Sequence, residues 1–367
     1  MEQVQEDTKP GFLQAFEGLE DPRSRACPHP LDELLLVVLC AITSGAESWV
    51  TVVEWGSMKL DWLRRWLPFA NGIASHDTFS RVFSLLDAKR FEACFLGWMQ
   101  QLCPALQGQL VSIDGKSVRG SHDAGLGMTH LVSAWHHSAG LVLGQVRTEA
   151  KSNEITAIPE LLDALDLRGT TVTLDAVGCQ RAIVEKIIEK KADYLIAVKN
   201  NQPTLAQEVE SLFADVEASM RDGRLQQDIT LDKAHGRIET RQCVVAHDVS
   251  ALAEAGHWPG LRSAVMIKSI REAFGGKNPG ERTVEWRYYV SNLKADAAEF
   301  NAKVRAHWGI ENSCHWVLDV TFNEDACRIR RGDGAQNFAI LQRIVLNLIK
   351  QEKSDKASVR LKRLKTA

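Results

Sequence analysis

The feature that most constrains this chain is a change of period near residue 109. Through residues 12–104 apolar side chains recur at helical spacing, in LDELLLVVLCAI, WVTVVEWGSMKLDWLRRWL, DTFSRVFSLL and RFEACFLGWMQQL. From residue 109 the alternation is strand-like. QLVSID (109–114) is a short β run, and THLVSAWHH (129–137) and LVLGQVRTE (141–149) flank a turn at Ser138-Ala139-Gly140. A helix at 155–166, a strand at 170–176, a helix at 179–192 and a strand at 193–199 follow. The order is β-β-β-α-β-α-β, whereas a doubly wound parallel sheet would alternate from the start.

This order is that of a ribonuclease H-like α/β core, in which the first and fourth strands are neighbours. Asp114 ends the first of these strands and Asp175 lies at the C-terminal end of the fourth, so the two carboxylates should converge. Residues 205–285 break the pattern with a polar helix and strand-like stretches at 238–249 and 262–272, with a turn at Gly275-Gly276. They read as a β-rich insertion, followed by a strand at 285–293 and long helices over 296–350. The expected organisation is an all-helical N-terminal domain (1–105), a catalytic core (106–350) with its insertion, and a basic tail (351–367). Ser75 or Asp77 is placed to cap the helix beginning SHDTFSRVF. That helix suits a plain bundle better than the second helix of a helix-turn-helix.

The 367 residues are 45% hydrophobic and 25% charged, as in an ordinary globular chain. The longest apolar run, LLLVVLCAI (34–42), falls far short of the roughly 20 residues a membrane helix needs, and no secretory signal is expected. Eight cysteines without a CxxC pair suit free thiols in a reducing compartment, with the cytoplasm as the expected location. A net charge of −3 advertises no polyanion. From Lys350 to Ala367, however, seven Lys/Arg stand against Glu352 and Asp355, a stretch that reads as a solvated, frayed terminus or as a DNA contact.

A third acid stands out in HWGIENSCHWVLD (307–319), where Glu311 has a histidine four residues to either side. Asp114, Asp175 and Glu311 each follow an apolar residue, where an unpaired charge is costly without a cation. Hard oxygen donors suit Mg²⁺ or Mn²⁺, and a pair of such ions serves nuclease and strand-transfer chemistry. The bland alternative is that the aspartates cap turns and Glu311 pairs with Arg305 or His307. A zinc site of His307, Glu311 and His315 is disfavoured, because ligands at i, i+4 and i+8 of one helix span about 12 Å. Trp308 and Trp316 read as core packing on the far side of that helix, with base stacking the lesser alternative. Asp319, Glu324 and Asp325 are either structural or an extension of the site.

The runs DPRSRACPHPLDELLLVVLCAITSGAESW, ASHDTFSRVF, SIDGKSVRGS, EAKSNEITAIPELL, TLDAVGCQ, HGRIETR and RAHWGIENSCHWVLDVTFNEDACR resemble, in order, the H-repeat-associated DDE transposases of insertion sequences. The resemblance spans about residues 12–348. It implies that Asp114, Asp175 and Glu311 are a metal-binding DDE triad served by Mg²⁺ or Mn²⁺, with two ions expected. It also implies a helical domain ahead of the core, a bacterial origin, DNA partners at element ends and target, and a homodimer on paired ends. Related enzymes often carry a tyrosine, an arginine and a lysine around the glutamate, and Val304, His307 and Leu318 stand there instead. The candidates for DNA phosphate contact are Lys116, Arg119, Lys151, Asn153, Lys199, Arg305, His307 and His315. The expected activity is metal-dependent cleavage at element ends and strand transfer. A nuclease without transfer, or a domesticated copy that only binds DNA, are the alternatives.

Overall fold

The computed structural model describes residues 11–24, 27–103, 106–123, 127–148, 154–234, 236–274 and 280–367. Six helices come first: α1 (Gly11–Ala15), α2 (Leu31–Thr43), α3 (Trp49–Met58), α4 (Leu60–Leu63), α5 (His76–Leu85) and α6 (Ala88–Leu102). Side chains of Ser48, Ser75 and Asp87 accept from backbone N–H groups three residues on and so start α3, α5 and α6. Of the two residues offered by the sequence for the start of α5, Ser75 is the one that caps.

Nine strands form one sheet: β1 (Leu110–Asp123), β2 (Gly127–His136), β3 (Leu141–Arg147), β4 (Thr171–Leu174), β5 (Asp193–Val198), β6 (Leu225–Ala234), β7 (Arg237–Ala246), β8 (Ser263–Ala273) and β9 (Arg282–Ser291). Their order is β3-β2-β1-β4-β5-β9-β8-β7-β6. β1, β4 and β5 run parallel, and every other neighbouring pair is antiparallel. Short parallel strands buried on both faces explain the unbroken apolar run of β4, TVTL. Helices α7 (Glu154–Ala164) and α8 (Arg181–Glu189) supply the crossovers. The β-rich region at 205–285 is no separate module. After α9 (Pro203–Leu212) and α10 (Val216–Arg221), its strands extend the same sheet through β9 against β5. The strand β6 escapes the sequence reading because its alternate apolar residues, Ile229 and Leu231, are solvent-exposed instead of packed.

Helices α11 (Ala297–His307), α12 (Trp316–Thr321), α13 (Gly334–Gln351) and α14 (Val359–Thr366) complete the chain. α13 is buried almost all round and joins the N-terminal helices and the sheet in one hydrophobic cluster. Its polar side chains are answered: Asn337 donates to the carbonyls of Phe83 and Leu86, and Asn347 both accepts from and donates to the backbone of Val142. The tail is exposed along most of its length but is not frayed, since it ends in a helix. α14 docks through Arg363, which is 5% exposed, donates to the carbonyls of Ile42 and Thr321, and lies 4.2 Å from the Phe322 ring centroid. Of the basic residues expected to be free, Arg363 is buried, while Lys353, Lys356, Arg360 and Lys365 stay exposed, and Lys365 pairs with Asp355 at 2.5 Å.

Arg363→Ala leaves those carbonyls unmet, and its expected cost is about 2–3 kcal/mol, read as a lower urea midpoint at unchanged slope. An unaltered midpoint would mean that α14 contributes nothing to the core.

Candidate metal centre

Asp114 lies within β1, which runs on to Asp123, so it does not end a strand as the sequence suggests. The polar run GKSVRGSHD hides the continuation, because its strand is held by pairing to β2 and not by an apolar face. The parallel register pairs Ile113 with Leu174, so the next residues, Asp114 and Asp175, leave neighbouring strands side by side. Burial pushes the Asp114 carboxyl up to about 6, with repulsion from Asp175 and Glu154 added and His315 opposing. Asp175 is also raised, chiefly by burial, while its Oδ1 accepts from the backbone N–H of Val177 and Gly178 at 3.0 and 3.3 Å. The turn-capping role and proximity to Asp114 therefore coexist.

Glu311 comes from the helical run that continues α11. Residues Glu311–His315 form a single π turn before α12 begins. Such turns interrupt α-helices often at functional sites. Here the turn sets His315 Nδ1 3.2 Å from Glu311 Oε2 and 3.5 Å from Asp114 Oδ2. The hydrogen bond from His315 holds Glu311 below the usual carboxylate range. One ligand atom each from Asp114, Glu311 and His315 falls within a 4.8 Å cluster. His315 is 3% exposed, and its Nε2 has no hydrogen-bond partner among the described residues. Two carboxylates and an imidazole, beside a third carboxylate of raised pKa, form a donor set that fits a divalent cation of the Mg²⁺ or Mn²⁺ class.

Lys116 does not lie on a phosphate-binding loop. Its ammonium is buried between Asp319 at 2.6 Å, Glu324 at 2.8 Å and Asp325 at 3.3 Å. Glu324, 1% exposed, also accepts from the fully buried Arg343 at 2.5 Å. Burial alone would raise Glu324, but Arg343 and Lys116 outweigh it and hold the carboxyl well below its ordinary range. The acids after Glu311 thus serve to fix β1.

The remaining candidates divide. His307 does not join the cluster. Its Nδ1 is 2.9 Å from Thr173 Oγ1, and burial, with Arg287 nearby, lowers its pKa to about 4, so it offers phosphate no charge. Arg305 pairs with Asp232 on β6. Arg119 is largely exposed and reaches Asp325 at 3.5 Å. Lys199 lines a groove with Asp175 and acts on its charge. Lys151 and Asn153 lie outside the described residues, as does the turn at Gly275-Gly276. Trp308 and Trp316 are 38% and 57% exposed, contrary to a core role.

Sequence reading missed His130, and took Glu154 only as part of the polar KSNE run after the third strand. His130 donates from Nε2 to Glu154 at 2.8 Å and meets Ser117 Oγ through Nδ1 at 2.8 Å. A Cβ at Gly115 would lie within 2.6 Å of both Glu154 Oε1 and His130 Nε2, so this pair closes over β1 only because residue 115 is glycine. Asp-Gly was the one available signal.

The site is thus built on a mixed α/β sheet that brings Asp114 and Asp175 from neighbouring strands beside the helical Glu311. The transposase DDE domain model matches residues 81–348, and the DDE_Tnp_1-associated model matches residues 13–99. The chain belongs to the transposase DDE domain family. It is 43% identical over 343 residues to "Putative transposase YncI" of Escherichia coli O157:H7, covering 92% of this chain and 87% of that protein. It is 39% identical over 343 residues to "H repeat-associated putative transposase YhhI" of Escherichia coli (strain K12), covering 92% and 90%. A cryo-EM structure of the piggyBac transposase synaptic complex with hairpin DNA superposes at a TM-score of 0.43 and 10% identity, covering 94% of this chain and 73% of that one. Among the described residues no helix is long and apolar enough to cross a membrane.

Two outcomes follow. Lys116→Met strands Glu324, Asp319 and Asp325 without their cation and should cost about 3–5 kcal/mol in denaturant unfolding. For Asp114, the folded pKa near 6 lies above the ordinary value of 3.8, so the folded state binds the extra proton between them. Metal-free stability should then fall as pH rises from 4 to 6, by roughly 1–3 kcal/mol. Mn²⁺ should raise the melting temperature more at pH 7.5 than at pH 5, and Asp114→Asn should stabilise the metal-free protein at pH 7.5 while abolishing that rise. An equal Mn²⁺ effect at both pH values would contradict the assignment.

Proposed function

We propose that this chain is a DNA transposase that cuts at the ends of an insertion element and joins the freed 3′-hydroxyl to target DNA, with Asp114, Asp175 and Glu311 holding the metal. The observation that carries the reading is the convergence of Asp114, Glu311 and His315 beside Asp175. The strand order β3-β2-β1-β4-β5, antiparallel then parallel, supports a ribonuclease H-like core. Asp114, Asp175 and Glu311 would hold two divalent ions of the Mg²⁺ or Mn²⁺ class, which would supply the charge needed to activate a water or a 3′-hydroxyl and to stabilise the leaving oxygen.

The chain's own residues do the rest. His315, held between Asp114 and Glu311, orients both carboxylates and keeps their oxygens apart. Lys199, exposed beside Asp175, offers a cation to a DNA phosphate entering that groove, and Arg119 another. Lys116 positions β1 and contacts no DNA. Residues 1–105 are the helical domain proposed to read element ends, 106–350 the catalytic core with an insertion at 205–285, and 351–367 a basic tail whose remaining exposed lysines stand near DNA. A homodimer on paired ends, working on chromosomal DNA in a bacterial cytoplasm, completes the reading. All three acids are present, which favours an enzyme over a decayed DNA-binding copy.

Asp114→Asn, Asp175→Asn and Glu311→Gln should each bind flanking DNA yet cut a labelled fragment more than about 100-fold slower with Mg²⁺, since each removes several kcal/mol of charge stabilisation. Joined products alongside the nicks distinguish transposition from plain nuclease action. Unimpaired cutting by Glu311→Gln would remove Glu311 from the set.

A further inference from the structure

On β7 the alternate residues Arg237, Glu239 and Arg241 share one sheet face, and the register places Glu239 opposite Arg271 and Ile267 opposite Arg287, so those arginines lie on it too. The inner end of this face is sealed, where Cys243, Ile267 and Tyr289 pack against Phe300 and Val304 of α11. The outer end is open. It forms a cleft of about 690 Å³ whose walls include Arg237, Arg241, Arg271, Arg287 and Arg305, with Asn312 and Ser313 of the π turn.

The charge in this cleft is not balanced. Glu239 answers Arg241 at 3.1 Å and Arg271 at 3.7 Å, Glu285 answers Arg271 and Arg287, and Asp232 answers Arg305. Among the described residues that leaves five guanidinium groups against three carboxylates, two positive charges in excess. Arg241, 8% exposed, forms the floor, and its Nε and Nη1 have no partner among the described residues. A buried guanidinium with unmet donors is costly unless an acceptor arrives. At the rim Arg287 stacks 4.5 Å from the exposed Trp308 ring centroid, which leaves a flat apolar surface beside the cations.

We infer that this cleft binds a backbone phosphate of the DNA strand, apart from the phosphate at the metal centre. The inference rests on the transposase reading. Arg305 and Glu311 are six residues apart on one helical run, roughly 9 Å along its axis. With about 3.4 Å of rise per nucleotide in each strand, the bound phosphate would lie on the order of a few nucleotides from the one being cut. The arginines would thereby fix where the strand enters the carboxylate cluster, which neither Lys116 nor His307 is free to do.

The test uses the full chain carrying Asp114→Asn, so that DNA stays intact, and a fluorescent duplex of the DNA flanking the gene. Affinity is measured across a salt series for this parent and for versions adding Arg237→Ala or Arg271→Gln. Each added change should weaken binding about 3- to 10-fold and reduce the slope of log affinity against log salt by about one. A fold defect lowers the active fraction without altering that slope. Unchanged slopes in both variants would overturn the cleft while leaving the proposed function intact. A parent that fails to bind the duplex at all would overturn the proposed function, and the cleft with it.

Discussion

The fold turns on a buried ionic knot: Lys116 of β1 against Glu324, and Glu324 against Arg343 of α13. Dry charges earn little net stability, since desolvation offsets most of their attraction, but a broken set costs several kcal/mol. What the knot supplies is position. Asp114 and Lys116 point to the same face of one strand, and Asp319 and Glu324 follow Glu311 in the chain, so one cation fixes the strand of the first acid to the segment that follows the third. It works alongside His315, whose Nδ1 lies 3.5 Å from Asp114 Oδ2.

The metal centre takes the opposite bargain. Asp114 is buried, raised in pKa and crowded by Asp175 and Glu154, an arrangement that costs stability in the absence of a cation. Functional sites store such strain because the surrounding packing over-determines them. The π turn belongs to the same economy, since it surrenders regular helical hydrogen bonding to place Glu311 and His315 on one ligand cluster.

Much of the core was legible because its signal is periodicity. The hairpin at 138–140 and the two crossovers follow from where apolar side chains recur, while the neighbouring of β1 with β4, and with it the nearness of Asp114 and Asp175, was expected from the likeness of the element order to a ribonuclease H-like core. What escaped depends on tertiary partners. Lys116 in the polar run GKSVRGS looks like loop until the acids from 319–325 arrive to neutralise it. The four-residue spacing placed both His307 and His315 beside Glu311, but the π turn leaves no mark on that spacing, so the two histidines looked equivalent although only His315 joins the cluster. Trp308 and Trp316 carry the composition of core and lie at the surface. Arg363 reads as tail charge, although its guanidinium is spent on backbone carbonyls. The arginines of β7, β8 and β9 are far apart in sequence, and only the strand register assembles them on one face.

The most direct test of the central claim, that Asp114, Asp175 and Glu311 jointly hold divalent metal, is a crystal of the full chain soaked with Mn²⁺ and measured at the manganese absorption edge. The account predicts anomalous density bounded by Asp114 and Glu311, with Asp175 on the same or the adjoining ion and His315 moved or ligating. Manganese ordered elsewhere, with the His315 bridge between Asp114 and Glu311 undisturbed, would contradict it.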